Sequence, residues 1–188
     1  MKKKKLPFNK NEHVNIIKSI AIGMNRAGFS TRYLELGIRK GPCFNAVAPL
    51  FKEAYAVDIV DCRKFIKGNK NLIWFHGTTD NFFKQHNSEK KFDLIFIDAD
   101  HRYESSLSDF KKALSILLDN GLILLHDTYP PEEFFVSQKY CRDTYKTASF
   151  IRKNYSDQCE IVTLLFYYGV SVVRKLNRQL LWKNDDLT

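Results

Sequence analysis

Three apolar runs in this chain pass into an acidic residue, and that repetition constrains the fold more than any other feature. The first run, TRYLELGIRKG, leads through Glu35 into a turn between Gly37 and Gly41. The second, AVDIV, contains Asp58, and the third, FDLIFIDADH, reaches Asp98. A strand, a glycine turn and a helix in that order present backbone N–H groups and a carboxylate to a nucleotide-like ligand. We therefore predict that the three strand ends share one rim of a sheet.

Strand-like and helical segments alternate along most of the chain. The predicted helices are residues 11–27, 44–52, 62–67, 80–86 and 103–118, and the predicted strands are residues 32–36, 54–59, 71–76, 92–98 and 122–126. Such alternation indicates a parallel sheet with helices on its faces. The nearly unbroken apolar character of residues 92–98 is typical of a strand covered on both sides.

The C-terminal pattern is different. Residues 137–153 predict a helix, and β-rich runs at 160–166 and 170–174 flank the sequence Tyr167-Tyr168-Gly169. That spacing predicts a hairpin, so the sheet should finish with an antiparallel pair.

The length of 188 residues fits one domain with a sizeable core. We predict an α/β, Rossmann-like, doubly wound and mostly parallel seven-stranded sheet with a C-terminal antiparallel hairpin. The domain should span residues 11–176, between a basic flexible tail at 1–10 and a polar tail at 177–188.

Several classes of protein are disfavoured by composition. No apolar run reaches the length of a membrane span, and the basic start MKKKKLPFNKNEH lacks the apolar segment of a signal peptide. The four cysteines are scattered without CxxC spacing, which argues against a cysteine zinc site and for reduced thiols. We therefore expect a cytoplasmic protein that does not contact membranes.

The net charge of +9 comes from 30 Lys and Arg against 21 Asp and Glu. Such a balance can attract nucleic acid or an anionic substrate. The excess is spread along the chain, however, and not gathered in one long block. This favours a basic solvated surface over a nucleic-acid footprint.

In an open α/β sheet, ligands bind beyond the carboxyl ends of the strands. Asp58 follows the glycine turn by about twenty residues, the spacing at which an acid can accept hydrogen bonds from both hydroxyls of a ribose. The alternative is an ordinary acid that faces solvent or caps the next helix. The third strand leads to Thr79 and Asp80 at the same rim.

The fourth and fifth strands should be neighbours, and their ends carry Asp98, Asp100, His101, His126 and Asp127. Carboxylates packed closely repel one another and raise one another's pKa unless a cation sits among them. Oxygen ligands of this kind suit Mg²⁺, Ca²⁺ or Mn²⁺. The alternative is that Asp100 caps the following helix and His126 packs in the core.

The segments ELGIRKG, AVDIV, FDLIFIDADHRYE and GLILLHDTYPP together resemble class I S-adenosylmethionine-dependent methyltransferases. The similarity is greatest to small-molecule O-methyltransferases of the catechol, caffeoyl-CoA and macrolide-sugar type, with I-D-x-D-H-x-Y followed by a strand that ends in H-D. It covers roughly residues 31–174. The glycine motif is shared with many nucleotide binders, whereas the ordered set of four motifs is much more specific.

The resemblance implies S-adenosylmethionine as the cofactor. Glu35, Gly37 and Gly41 match the turn that holds its methionine part, and Asp58 matches the acid that binds its ribose. The loop after the third strand, with Thr79 and Asp80, falls where relatives meet the adenine. Asp100 and His101 match positions that contact cofactor or substrate.

Asp98 and Asp127 match positions that hold a divalent cation in the metal-dependent relatives. Two departures leave metal dependence open. Many of those relatives have Asn after the second acid, where this chain has Thr128, and others have Glu before it, where this chain has His126. A third ligand is therefore unassigned.

The expected reaction is methyl transfer to an oxygen of a small hydroxylated acceptor. The acceptor must lose its proton, either to a hydroxyl-activating cation at Asp98 and Asp127 or to His101 or His126 as general base. His101 is the preferred base because it lies in the loop beyond the strand. The catalytic candidates are therefore His101, His126 and Asp98.

Two other functions are left open. A methyltransferase of RNA or protein is supported by the basic charge, although neither an Asn-Pro-Pro-Tyr motif nor the K-D-K-E pattern is apparent. A non-catalytic Rossmann-like module that binds a nucleotide or a partner protein is the second. Only one helix precedes the first strand, so the site is either open or completed by a second subunit of a homo-oligomer.

Overall fold

The structure is a computed structural model that describes residues 12–68 and 70–176. The predicted tails at 1–10 and 177–188 lie outside the described residues. Within them, the helices are α1 (Glu12–Arg26), α2 (Pro42–Val47), α3 (Thr79–Gln85), α4 (Tyr103–Ser115) and α5 (Tyr145–Asn154). The strands are β1 (Arg32–Leu36), β2 (Glu53–Asp58), β3 (Leu72–His76), β4 (Phe92–Ile97), β5 (Leu117–His126), β6 (Cys159–Leu164) and β7 (Val170–Lys175).

The seven strands form one sheet in the order β3-β2-β1-β4-β5-β7-β6. Strands β1 to β5 pair in parallel, while β7 runs antiparallel to both β5 and β6. The predicted doubly wound architecture and its C-terminal hairpin are thus confirmed, as is the adjacency of β4 and β5. The central strand is β4, with β1 on one side and β5 on the other. The turn after β1 and the ends of β4 and β5 therefore lie side by side.

Helices cover the sheet on both faces, which explains the continuous apolar character of β4. All six residues of that strand are buried. Alternate strand residues face opposite layers, so Tyr33 packs in the layer of α1 and α2 while its neighbour Leu34 packs in the layer of α3, α4 and α5. No helix in the described part of the chain combines the length and apolar character needed to cross a bilayer.

The predicted helix at 44–52 is wrong in extent. The α-helix ends at Val47 and a 3₁₀ turn follows at Ala48–Leu50. Pro49 has no backbone N–H to continue the helical ladder, which accounts for the change. The predicted helix at 62–67 is likewise reduced to a 3₁₀ turn at Arg63–Phe65.

The boundary between α4 and β5 also differs from the prediction. The helix ends at Ser115, and residues assigned to its end and to a turn belong to a ten-residue strand. Phe92 pairs with Leu117 and Leu94 with Leu122, so the extra residues form an irregularity within the pairing. The strand begins early because Leu117 already belongs to the buried core.

The predicted helix at 137–153 forms only from Tyr145. A 3₁₀ turn at Glu133–Val136 and a series of turns precede it. Arg142 has a φ of 50°, which no helix accommodates. Contacts of this segment with the ends of β4 and β5 replace the helical hydrogen bonds.

The turn after β1 packs directly against the end of β4. Gly37 has a φ of 90°, and a Cβ atom there would lie 2.2 Å from the backbone oxygen of Asp98. The Gly37 N–H donates to the carbonyl of Val57, and the Asp98 N–H donates to the carbonyl of Leu36, each at 2.9 Å. The chain therefore needs glycine at this point for the ends of three strands to meet.

We expect Gly37→Ala to destabilise the protein more than Gly28→Ala. Gly28 has a similar φ of 86° but no atom within 4 Å of the added Cβ, so it reports the backbone cost alone. That cost is about 1–2 kcal/mol, and overpacking at Gly37 should add about 1–3 kcal/mol. Urea unfolding of both variants measures the difference, and equal losses would contradict a close approach at Gly37.

Candidate active site at the strand ends

Asp58 at the end of β2 holds the glycine turn in place. Its Oδ2 accepts hydrogen bonds from the backbone N–H groups of Ile38 at 2.8 Å and Arg39 at 2.9 Å, and its Oδ1 accepts one from Val60 at 2.8 Å. A carboxylate has about four acceptor positions. The Cys62 thiol also hydrogen-bonds to this carboxylate. A ligand hydroxyl would therefore have to replace the thiol or one of the N–H donors, and the ribose contact of Asp58 stays a prediction.

Glu35 lies beneath the turn and is only 1% exposed. The hydroxyl of Tyr33 donates to its Oε2 at 2.5 Å. Burial raises the pKa of Glu35 to about 8, with the charge of Asp98 acting in the same direction and the Tyr33 hydrogen bond opposing both. Glu35 is thus a buried, protonated acid near neutral pH, and its predicted contact with the cofactor stays a prediction.

The predicted adenine loop is held by neighbouring helices. Thr78 caps α3 by accepting a hydrogen bond from the Asn81 N–H at 3.1 Å. Asp80 is exposed and forms an ion pair with Lys112 of α4. Thr79 is hydrogen-bonded to the buried Asp109. The loop is therefore fixed at the same rim as Asp58.

Asp98, His101 and Asp127 come together where β4 and β5 end. The His101 Nδ1 lies 2.9 Å from Asp127 Oδ2 and 2.7 Å from the Tyr140 carbonyl oxygen, and its Nε2 lies 3.4 Å from Asp98 Oδ1. One ligand atom from each of the three side chains falls within 4.8 Å of the others. The predicted clustering of these three residues is therefore present, and His101 is a candidate for the third donor that sequence reasoning left unassigned.

The two carboxylates make His101 strongly basic. Burial lowers the pKa of His101, but hydrogen bonds to Asp127 and Asp98 outweigh it and raise that pKa from 6.5 to about 11. Burial also raises the pKa of Asp98, yet the charge of His126 and hydrogen bonds from both histidines hold it well below its usual range. The free site is therefore an assembly of paired charges.

His126 is a second imidazole at the same carboxylates, and it is 6% exposed. Its Nδ1 lies 3.1 Å from Asp98 Oδ1 and 3.4 Å from Asp127 Oδ1, while its Nε2 lies 3.1 Å from the Tyr167 carbonyl oxygen. Both nitrogens face oxygen acceptors, so both carry protons. Burial lowers the pKa of His126, but the Asp127 and Asp98 charges outweigh it and raise it to about 9.

Asp100 makes its hydrogen bonds at the start of α4. It accepts from the backbone N–H of Arg102 at 3.1 Å, from the Arg102 guanidinium and from the Ser105 hydroxyl at 3.0 Å. The Arg102 N–H precedes the helix, and the N–H of its first residue, Tyr103, donates to Asp143 Oδ1 at 2.8 Å. The capping alternative for Asp100 is therefore wrong. A contact of Asp100 with cofactor or substrate stays a prediction.

Four residues that sequence reasoning did not assign to the site lie against it. Tyr140 offers its carbonyl to His101, and the thiol of Cys141 lies 3.6 Å from Asp127 Oδ1. His13 of α1 stacks on His126, and Tyr167 stacks on both imidazoles of that pair. The aromatic content of residues 131–145 was a signal for the first two, whereas no local motif marks His13.

Comparisons with known proteins identify a family and a shared fold. The family model described as a methyltransferase domain matches residues 21–128, which include β1 to β5 and all of the acids discussed above. No curated protein matches the chain.

Solved structures resemble the chain over most of its length at low sequence identity. A putative caffeoyl-CoA O-methyltransferase from Staphylococcus aureus has a TM-score of 0.71 at 16% identity, covering 90% of this chain and 86% of that one. An O-methyltransferase from Bacillus cereus in complex with SAH gives 0.66 at 15%, with 87% and 81% covered. An SAH-bound methyltransferase from Podospora anserina gives 0.65 at 19%, with 85% and 78% covered. These likenesses show the shared fold.

We expect His101 to stabilise the free protein below about pH 6.5 and this stabilisation to be lost as the pH rises toward 11. The folded state binds the His101 proton more tightly than the unfolded chain does, because its pKa is raised from 6.5 to about 11. In EDTA, the free energy of unfolding should fall between pH 7 and pH 9.5, and it should fall less in His101→Gln. Urea unfolding across this range measures both slopes, with His76→Gln as a control outside the cluster. Parallel slopes for wild type and His101→Gln would contradict the tight proton.

Proposed function

The chain belongs to the methyltransferase-domain family, and from that premise we propose that it transfers a methyl group from S-adenosylmethionine to an oxygen of a small hydroxylated acceptor. The observation that carries the proposal is the cluster of Asp98, His101, His126 and Asp127 beside the Gly37 turn. The turn that would bind the cofactor and the side chains that could hold a proton or a metal ion therefore lie at the same edge of the sheet. The SAH-bound methyltransferases of similar fold support the choice of cofactor.

The cofactor half of the site consists of the Gly37 turn and Asp58. Two observations support the binding of a nucleotide-like ligand there. The backbone at Gly37 approaches Asp98 so closely that no side chain fits there. Asp58 anchors the same turn, and a ligand hydroxyl could replace the weak thiol donor Cys62 on its carboxylate. S-adenosylmethionine supplies a sulfonium-activated methyl group. The protein has to orient the acceptor oxygen toward that methyl and exclude competing water.

The acceptor half of the site contains Asp98, His101 and Asp127. The chemistry of these side chains suits a divalent cation. Two carboxylates and one imidazole converge, a combination suited to Mn²⁺ and to other divalent first-row metals. A cation held by Asp98, His101 and Asp127 would lower the pKa of an acceptor hydroxyl as a Lewis acid. Metal assistance is therefore part of the proposal.

Where no cation is bound, we assign the proton transfer from the acceptor to His101, because an imidazole that ligates a metal cannot accept that proton with the same lone pair. Its side chain is 30% exposed, whereas His126 is 6% exposed and enclosed by Tyr167 and His13. In the free protein both imidazoles are held as cations by Asp98 and Asp127. As a base, His101 first has to lose the proton that Asp98 and Asp127 hold on it, so this role depends on the charge state of the site with cofactor and acceptor bound.

The cofactor is tested by calorimetry with S-adenosylmethionine. We expect binding to wild type and a loss of affinity of about tenfold or more in Asp58→Ala, because a hydrogen bond to a charged group is removed. Asp119→Ala changes an acid that is 74% exposed at the other end of β5 and should bind like wild type. Unfolding curves should confirm that Asp58→Ala folds, since Asp58 also anchors the turn.

Wild type without detectable binding at millimolar cofactor would contradict the methyltransferase assignment and favour a non-catalytic module. Unchanged affinity in Asp58→Ala would contradict only the ribose assignment.

The metal site is tested with Mn²⁺ by electron paramagnetic resonance and calorimetry. We expect Asp98→Asn to weaken Mn²⁺ binding by at least about tenfold, since a ligand is lost at a site where even supporting residues matter by that amount. Asp100→Asn alters an acid in the same loop that bonds to Arg102 and should bind Mn²⁺ like wild type. Equal affinities for the two variants would exclude Asp98 as a ligand.

The acceptor class is tested by transfer of labelled methyl groups to separate pools of phenols, sugars and RNA, each with and without Mg²⁺. We expect label in ether linkages of a small hydroxylated compound. Label found in RNA, with binding that weakens steeply as salt rises, would replace this proposal with an RNA methyltransferase.

A further inference from the structure

His13 of α1 forms a stack of three rings with two residues at the end of the sheet. Its ring centroid lies 4.5 Å from that of His126, with an interplanar angle of 29°, and 5.0 Å from that of Tyr167, with an angle of 15°. The His126 and Tyr167 rings are 5.9 Å apart at 15°. The N-terminal helix therefore contacts His126 beside the acid cluster, although the two are far apart in the sequence.

The backbone beneath this stack is strained. Tyr167 and Tyr168 have φ values of 36° and 67°, and Asp127 opposite them has a φ of 59°. Residues other than glycine rarely adopt this region, and such strain persists only when the surroundings hold it. Two hydrogen bonds tie the strained segments together, from the Tyr129 N–H to the Tyr168 carbonyl at 2.7 Å and from the Thr128 N–H to the Gly169 carbonyl at 3.4 Å.

His13 is suited to hold this corner as a neutral ring. Burial, followed by the positive charge of His126, lowers the pKa of His13 to about 4. A neutral ring can lie against the His126 cation without charge repulsion. Its Nδ1 is buried and has no hydrogen-bond partner among the described residues, so its contact with the site is made through the face of the ring.

The helix that carries His13 is anchored in the hydrophobic core. Val14 and Ile17 are buried in the layer between α1, α2 and the sheet, and Ile17 is 0% exposed. The position of His13 is therefore fixed by the core, and it can transmit that fixed position to His126 and Tyr167. Without the ring, the side of His126 that faces α1 would lose its packing.

We propose that His13 is a positioning residue for methyl transfer, whose ring holds His126 and the Tyr167 corner so that Asp98 and Asp127 keep their spacing for the acceptor. The inference rests on the proposed function. It assigns α1 to the acceptor half of the site, while the turn held by Asp58 forms the cofactor half without contribution from His13.

The experiment compares wild type with His13→Ala, His13→Phe and the control Ile17→Ala. His13→Ala removes the ring, His13→Phe retains a flat ring without nitrogens, and Ile17→Ala disturbs the same helix by a cavity in the core. The first readout is the ¹H and ¹⁵N resonances of the His126 imidazole, assigned with a His126→Gln variant, which need no acceptor. The second is affinity for S-adenosylmethionine, and the third is kcat with the acceptor found in the transfer assay.

We expect His13→Ala to shift the His126 resonances, because the ring current of the stacked neighbour is lost. It should lower kcat by about tenfold or more at unchanged cofactor affinity, since small misplacements of catalytic groups have effects of that size. His13→Phe should recover most of kcat. Ile17→Ala should lower stability while leaving kcat of the folded protein unchanged, because Val14, Ala21 and Met24 of the same helix stay buried and still hold His13 in place.

Unmoved His126 resonances in His13→Ala would overturn the inference, as would a kcat equal to that of wild type. A parallel loss of cofactor affinity, or an effect of Ile17→Ala on kcat as large as that of His13→Ala, would reduce His13 to a role in stability and overturn it as well. Failure of the proposed function has a different signature, because wild type itself would then bind no S-adenosylmethionine.

Discussion

The close backbone approach between the turn after β1 and the end of β4 is the constraint on which the rest of the site depends. Gly37 brings the two segments so near that a Cβ atom would collide with the Asp98 backbone. Asp58 then fixes the turn through two of its N–H groups. Cofactor motifs and acid cluster consequently share one edge of the sheet, and neither could shift without breaking hydrogen bonds of the other.

The mostly parallel sheet and its C-terminal hairpin followed from local patterns, because apolar periodicity and strand-end acids report directly on burial and on parallel pairing. The strands β1, β2 and β4, together with the final hairpin, were predicted to within a residue or two. Errors arose where a single residue or a distant contact decided the outcome. Pro49 cut a helix short, and the contacts of Tyr140 and Cys141 with the site prevented another from starting early.

The site was predictable in part for the same reason. Asp98, His101 and Asp127 stand next to strands whose positions were clear, so their meeting followed from topology. The burial of Glu35 and the saturation of most of Asp58's acceptor positions could not be predicted, since both depend on which way a side chain turns at the end of a strand. The stacking of His13 depends on how the whole helix α1 packs against the sheet, and no short sequence motif encodes that packing.

The antiparallel insertion of β7 between β5 and β6 has a consequence for the order in which the site can form. The turn held by Asp58 needs closure of a loop of only 20 residues, as the Ile38 to Asp58 hydrogen bond shows. The stack on His126 joins the first helix to the last hairpin, and closing so long a loop costs more chain entropy. During synthesis from the N-terminus, the turn held by Asp58 can therefore form while the nascent chain is still growing, whereas the stack on His126 is assembled only after the hairpin has left the ribosome.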